Sequence, residues 1–343
     1  MLTLPPDLEA AVAAVLREMP SSQWQSAARQ ISQRYRDADE ARRTTEATRT
    51  QSPFRGPYAA VGYAALVLPA TYAQLWAAMC ATALRAPNFQ PTTMLDLGSG
   101  PGTALWAAVE HWPDIETADA WEREPASIDL GKRLASASEH PAVNGARWRQ
   151  IALTGALPPG TPTYDLIVIG HVLNELTPDV RDALVASAWE HCTGLLLIVE
   201  PGTSSAFPIV LRAREVLLES GAHTIAPCAH DLPCPLPADL PNDWCHFPQR
   251  LQRPAFQRVA KEASAGWEEA KFSYAAMSRF APDTPIYARL IHQPHPTKIG
   301  VDLTLSARDG TITRPRIPKR DRPAYREAAN LHWGEAILQA LDK

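Results

Sequence analysis

The residues best suited to chemistry in this chain form a glycine-rich turn, Asp96-Leu97-Gly98-Ser99-Gly100-Pro101-Gly102. Met94–Leu97 before it suits a strand, and the run from Thr103 suits a helix, so the turn lies where a strand hands the chain to a helix N-terminus. Glycines at 98, 100 and 102 let the backbone approach a ligand closely and adopt positive φ, and the helix beyond offers free N–H groups. Dinucleotide and sulfonium cofactors both use this geometry, and two features separate them. A dinucleotide fingerprint is G-x-G-x-x-G. Here its third glycine position is Thr103, and the spacing is G-x-G-x-G. Asp96, ahead of the first glycine, would repel a pyrophosphate but suits the cationic amino-acid end of S-adenosylmethionine (SAM). The next strand ends at Trp121-Glu122, where Glu122 is placed to accept hydrogen bonds from ribose hydroxyls. The residues assigned to a SAM site are therefore Asp96, Gly98, Ser99, Gly100, Gly102 and Glu122.

The strand Tyr164–Gly170 runs into His171-Val172-Leu173-Asn174-Glu175-Leu176. Ligands of open α/β sheets bind beyond the carboxyl ends of the strands. His171, Asn174 and Glu175 are thus the catalytic candidates, expected to face the methyl-transfer site, although Asn174 and Glu175 could equally cap a helix. The stretch has no Asn/Asp-Pro-Pro-aromatic motif and no cysteine, so it supports neither adenine amino methylation nor covalent attack on a pyrimidine. Glu200-Pro201-Gly202-Thr203 closes the next strand and is expected to border the same pocket.

Three cysteines and two histidines fall within residues 228–246: Cys228, His230, Cys234, Cys245 and His246. In a reducing compartment such a cluster points to a metal, zinc or an iron–sulfur cluster, rather than to disulfides. Near the C-terminus Arg314, Arg316, Lys319, Arg320, Arg322 and Arg326 lie among prolines with Asp321 as the one acid. An extended cationic strip of this kind can follow an RNA backbone, with Tyr325 available for stacking. Arg250, Arg253, Arg258 and Lys261 form a second basic stretch.

These residues need a scaffold, and the rest of the chain supplies one. From Thr92 to Glu200 short β-rich runs alternate with helical ones, which predicts a parallel sheet covered on both faces. Leu166–Ile169 and Leu195–Val199 are apolar throughout, as central strands are. The spacing of Leu8, Val12, Val15 and Leu16 predicts a helix, as does the run after Ser22, and the polar stretch 37–52 suits an exposed surface. Phe207–Ser220 is a predicted helix stopped by Gly221. Lys271–Arg279 and Tyr287–His292 are predicted strands paired with Val301–Leu305, and Ala324–Leu341 is a predicted final helix. The reading is a class I SAM-methyltransferase Rossmann-like α/β fold. Its parts are a helical region (1–88), the SAM-binding domain (89–222) and a cysteine-containing, β-rich extension (223–343) packed on it.

The 343 residues are 45% hydrophobic and 20% charged, which fits a globular chain, and the net charge of −4 confines any nucleic-acid contact to a local patch. The N-terminus lacks a basic start followed by an apolar core, and no run reaches the ~20 apolar residues that span a bilayer, Tyr58–Leu84 coming closest but interrupted by Pro69 and Gln74. A cytoplasmic monomer with no membrane partner is expected.

The chain also resembles the methyltransferase-like proteins associated with the mitochondrial ribosomal small subunit, and their bacterial relatives. The resemblance rests on LPATYA (68–73), LDLGSGPGT (95–103), HVLNEL (171–176), VEPGT (199–203), APCAHDLPCP (226–235), DWCHFPQRLQR (243–253), KFSYAAMSR (271–279) and AYREAANLHWGE (324–335). It implies a factor that methylates ribosomal RNA or assembles with the small subunit. A non-catalytic rRNA-binding assembly factor and a small-molecule methyltransferase are the alternatives. It also implies a 4Fe–4S cluster on four cysteines, three matched by Cys228, Cys234 and Cys245. The fourth belongs in the strand around Val301–Ser306, which has no cysteine. A retained metal group would then take His230, His246, His292, Asp302 or an exogenous ligand, unless the site holds zinc or has lost its metal. Its role would be to clamp the C-terminal segment to the SAM domain.

Overall fold

The structure, a computed structural model, describes residues 1–44 and 56–340. Helices come first: α1 (Pro6–Arg17), α2 (Ser21–Thr44), α3 (Pro57–Leu66) and α4 (Leu68–Ala83). Strands and helices then alternate through β1 (Thr93–Leu97), α5 (Thr103–His111), β2 (Thr117–Glu122), α6 (Pro125–Ala135), α7 (Pro141–Asn144), β3 (Arg147–Gln150), β4 (Tyr164–Gly170), α8 (Pro178–Glu190), β5 (Cys192–Pro201), α9 (Phe207–Glu219) and β6 (His223–Ala226). α10 (Leu236–Asp239), β7 (Phe247–Gln252), α11 (Ala255–Ala260) and the long strand β8 (Trp267–Ser278) follow. The last part holds β9 (Ala288–Leu290), β10 (His295–Pro296), β11 (Gly300–Asp302), β12 (Leu305–Ala307), β13 (Ile312–Thr313), β14 (Arg316–Pro318), α12 (Arg322–Asn330) and β15 (Ala336–Ile337).

The main sheet has the order β3-β2-β1-β4-β5-β8-β6, with β7 also paired to β8. Strands β1 to β5 are parallel, and β8 runs antiparallel to β5, β6 and β7. The chain winds outward from β1 to β3 and returns to β4, so the order reverses between β1 and β4 and opens a crevice at their carboxyl ends. This is the class I SAM-methyltransferase Rossmann-like fold. Pleating splits each central strand between two cores. Leu195, Leu197 and Val199 of β5 join the cluster under α1, α3, α4 and α5, whereas Leu196 and Ile198 join the one under α8 and α9. All five are fully buried.

Several expectations change. Lys271–Arg279 does not pair with 301–305. It lies in β8, antiparallel to β5 in the main sheet, because Phe272, Tyr274 and Ala276 fill one core and Ala275 and Met277 the other. The main sheet thus takes β6, β7 and β8 from beyond residue 222. The strand at 288–290 pairs with β12 and β15 in a separate four-stranded sheet. The final helix stops at Asn330, since Gly334 at φ 93° turns the chain back so that β15 can pair with β9. Of the polar stretch 37–52, residues 37–44 belong to α2 and residues 45–52 lie outside the described residues. Among the described residues no single helix is long and apolar enough to cross a membrane, and the apolar pair α3 and α4 is bent by 56° and packs into the core.

Gly131, inside α6, marks a tight approach between layers. A Cβ there would lie 2.1 Å from the Trp148 ring carbon Cη2 of β3. Helix propensity favours alanine by about 1 kcal/mol, but overpacking of about 1–3 kcal/mol should win. Gly131→Ala is therefore expected to lower the urea midpoint in the wild-type background. It should raise the midpoint in a Trp148→Ala background, where the ring is gone. Equal effects in both backgrounds would contradict this packing.

Candidate functional site

The glycine turn is fixed from behind by β2. The Trp121 carbonyl accepts the N–H groups of Gly98 and Ser99 at 2.8 and 3.0 Å. Gly98, Gly100 and Gly102 all have positive φ, at 73°, 54° and 81°. They are not equivalent. A Cβ on Gly98 would meet the Val172 Cγ2 methyl at 2.3 Å, whereas one on Gly100 would find nothing within 4 Å and would project into open space. Glu122 accepts N–H bonds from Gly100 (2.9 Å), Arg123 (2.8 Å) and Glu124 (2.9 Å), which ties the turn to the end of β2.

A pocket of about 730 Å³, counted to its open mouth, lies over this turn, lined by Gly98, Gly100, Glu122, His171, Glu175 and Tyr63 among others. Four buried polar atoms have no hydrogen-bond partner among the described residues: Asp96 Oδ2, Ser99 Oγ and Thr103 Oγ1 in and beside the turn, and His171 Nε2, of which only His171 lines the pocket. Buried polar groups are normally hydrogen-bonded, so these atoms fit a polar ligand. Burial, reinforced by the Glu122 charge, pushes the Asp96 carboxyl up to about 8. Burial pushes His171 down to about 4, leaving a neutral imidazole, held at a φ of 60°.

The other residues named from the sequence sit differently. Asn174 is in a 3-10 turn, Leu173–Glu175, and its amide donates to the Glu200 carboxylate, which also accepts the Leu173 N–H at 2.8 Å. Glu200 is fully buried, and burial raises its carboxyl to about 7. Asn174 and Glu200 thus brace the turn from beneath and do not line the pocket. Glu175 does line it, paired with Arg123 at 3.3 Å across the mouth. Tyr63 and Arg123 are lining residues that the sequence reading missed. Tyr63 comes from α3, far upstream of the turn, and no local motif marks it.

The three clustered cysteines line a second pocket of about 530 Å³, together with Arg214, Arg289 and Ser306. All five cysteines of the chain are free thiols. Among the described residues no three histidine, cysteine or acidic side chains stand close enough to hold a single metal ion. Burial raises the Cys245 and Cys234 thiols, and neighbouring cysteines add to both shifts. The four proposed fourth ligands are not among the residues lining this pocket. His292 pairs with Asp243 at 2.7 Å, and Asp302 pairs with Arg316. His246 lies between the rings of Trp244 and Trp333, and His230 Nδ1 contacts the Leu232 carbonyl.

The basic tail is exposed at Arg314, Arg316, Lys319, Arg320, Arg322 and Arg326, although Arg316 is held by Asp302. Tyr325 is half-buried with the Lys319 ammonium 5.8 Å from its ring centroid. The second basic stretch is largely neutralised. Arg253 and Lys261 share Glu268, and Arg250 pairs with Glu269.

A sequence model of the family described as mitochondrial small ribosomal subunit Rsm22 matches residues 57–338. The human mitochondrial ribosome assembly protein METTL17 is 28% identical over 274 residues, 74% of this chain and 57% of its own length. The mitochondrial Rsm22-cox11 tandem protein 2 of Schizosaccharomyces pombe is 24% identical over an alignment of 354 residues, 84% of this chain and 46% of its own. The chain thus spans about half the length of these curated relatives. Similar solved structures include an O-methyltransferase family protein from Burkholderia thailandensis, with TM-score 0.43, 15% identity and coverage of 54% of this chain and 62% of that one. Magnesium protoporphyrin IX methyltransferase from Synechocystis with bound SAM gives TM-score 0.39, 9% identity and coverage of 62% and 80%. The cytoplasmic expectation is overturned, because the matched family and these relatives are mitochondrial. It rested on a missing secretory signal, a test that does not address import into an organelle.

The state of Asp96 has a measurable consequence. Its carboxyl, normally near 3.8, rises to about 8 on folding. The folded chain therefore keeps a proton that the unfolded chain has released, and stability falls as pH rises between those values. Asp96→Asn should remove a few kcal/mol of this pH dependence in urea unfolding, leaving the falling slope due to Glu200 and the opposing slope of His171, whose lowered value makes stability rise between about pH 4 and 6.5. An unchanged slope would contradict a buried, unpaired carboxyl.

Proposed function

The chain belongs to the Rsm22 family, and on that premise we propose a SAM-binding, methyltransferase-like factor that assembles with the small ribosomal subunit. The observation that carries this reading is the reach of the family match, residues 57–338, which takes in the glycine turn, the cysteine pocket and the basic tail. In this reading the backbone of Gly98, Ser99, Gly100 and Gly102 cradles the cofactor. Asp96, ionised by contact with the cationic amino-acid end, anchors it, and Glu122 takes the ribose hydroxyls with the accepting capacity that its backbone bonds leave. SAM, when bound, supplies an electrophilic methyl group. Neutral His171 and the Arg123–Glu175 pair form the acceptor side.

The binding role is favoured over catalysis by one feature of that side. Asn174 is committed to Glu200 and Glu175 to Arg123, so two of the three groups named as catalytic already serve the turn and the mouth, and His171 alone keeps a ring nitrogen with no partner among the described residues. Methyl transfer needs chiefly a positioned nucleophile, and catalysis remains the second reading for that reason. The cysteine pocket is assigned to an iron–sulfur cluster held by Cys228, Cys234 and Cys245. Thiols that line a shared space without converging on one point suit a multi-atom cluster better than a zinc ion. Its place between α9, β7 and β12 fits a clamp that fastens the C-terminal segment to the SAM domain.

The exposed tail is assigned to ribosomal RNA. Replacing Arg314, Arg320, Arg322 and Arg326 with glutamine should weaken binding to small-subunit RNA and flatten its salt dependence, by about 0.7–0.9 in log–log slope per lost phosphate contact. The same change at Arg253 and Lys261 should do little, since both are engaged by Glu268. Equal losses from both sets would contradict the assignment. Cells lacking the protein should contain incomplete small subunits with unaltered RNA methylation. Loss of a specific methyl mark would favour the catalytic reading, and normal subunits would remove the ribosomal one.

A further inference from the structure

The fourth cysteine is expected around Val301–Ser306, and of those six residues the structure puts only Ser306 in the cysteine pocket. It sits in β12 between Leu305 and Ala307, both of which join the small C-terminal core. Successive strand residues point to opposite faces, so Ser306 faces away from that core. Its partner across the antiparallel ladder is Arg289, and paired residues in such a ladder share a face. Both side chains line the pocket with Cys228, Cys234 and Cys245. Ser306 is 6% exposed, and its hydroxyl has no hydrogen-bond partner among the described residues.

Two buried arginines describe the occupant. Arg289 gives two of its nitrogens to the Pro227 and Gly334 carbonyls at 2.7 and 2.8 Å, and Arg214 gives one to the His230 and Leu232 carbonyls at 2.7 and 3.1 Å. Both therefore grip the cysteine loop by its backbone. Each is 3% exposed, and Arg289 Nη2, Arg214 Nε and Arg214 Nη1 are left with no acceptor. Among the described residues no carboxylate pairs with either one. Guanidinium donors buried without a counter-charge are costly, and an anionic group ligated by thiolates would meet both needs.

Resting on the iron–sulfur reading above, we infer that Ser306 marks the fourth corner of the cluster, so that three irons carry cysteine thiolates and the fourth faces an oxygen instead. A hydroxyl is a weaker, harder donor to iron than a thiolate. The fourth iron is accordingly the corner that leaves first on oxidation and the one that accepts an added ligand.

The test uses the full chain purified without oxygen, as wild type, Ser306→Cys and Ser306→Ala. Iron and acid-labile sulfide are assayed, and electron paramagnetic resonance is recorded before and after ferricyanide. Ferricyanide takes one electron from the 4Fe–4S cluster, which releases Fe²⁺ and leaves an oxidised 3Fe–4S cluster. Wild type and Ser306→Ala should lose one iron per cluster and develop the three-iron signal. Ser306→Cys should keep its iron and stay silent, a change in iron retention that a purely structural serine would not produce. Equal iron loss in wild type and Ser306→Cys overturns the role of Ser306 while leaving the cluster in place. Absence of both iron and sulfide from the wild type and Ser306→Cys overturns the iron–sulfur reading itself.

Discussion

The Trp121 carbonyl accepts two successive N–H groups, from Gly98 and Ser99, and the cofactor edge of the protein depends on that grip. It holds the glycine turn against the end of β2. The turn in turn gives its Gly100 N–H to Glu122. The reversal of strand order between β1 and β4 then determines what lies opposite. Val172 abuts Gly98, His171 is held at positive φ, and the 3-10 turn behind them is braced by Glu200. A single constraint thus organises both walls of the pocket. It requires β1, β2 and β4 to be adjacent, parallel and in register, and all three conditions are met.

The second pocket depends on β8. By running antiparallel to β5, β6 and β7, this strand draws the segment after α9 back onto the SAM domain. The cysteine loop is then held by side chains from several places: Arg85 on the Cys228 carbonyl, Arg214 on those of His230 and Leu232, and Arg289 on that of Pro227. Ser273 of β8 donates to the Cys245 carbonyl. Three buried cations around one thiol-lined space make the pocket electrostatically demanding. It joins the α/β domain to the segment that ends in the basic tail.

What the sequence revealed follows the range of the interactions. The strand at 94–97, the glycine turn and Glu122 were legible because each is a local pattern with a local cause. The central strands were legible because burial on both faces leaves an unbroken apolar run. Tyr63 was not, since it reaches the pocket from a helix with no motif of its own. The role of Asn174 was missed because its partner, Glu200, lies one strand away in space. The neutralisation of the second basic stretch by Glu268 and Glu269 has no local signature, because it depends on the β7–β8 register. Ser306 drew no notice as an ordinary serine until its register opposite Arg289 placed it beside the thiols.

The central claim is that the turn at 96–102 holds SAM in this chain. Calorimetric titration of SAM into the wild type and Gly100→Arg tests it directly. Gly100 is the suitable position because its side-chain direction is open and the strain of positive φ there costs only about 1–2 kcal/mol. The account predicts saturable one-site binding in the wild type and none in a Gly100→Arg protein that still unfolds cooperatively. A folded wild-type chain that takes up no SAM, or a variant that binds it equally well, would contradict it.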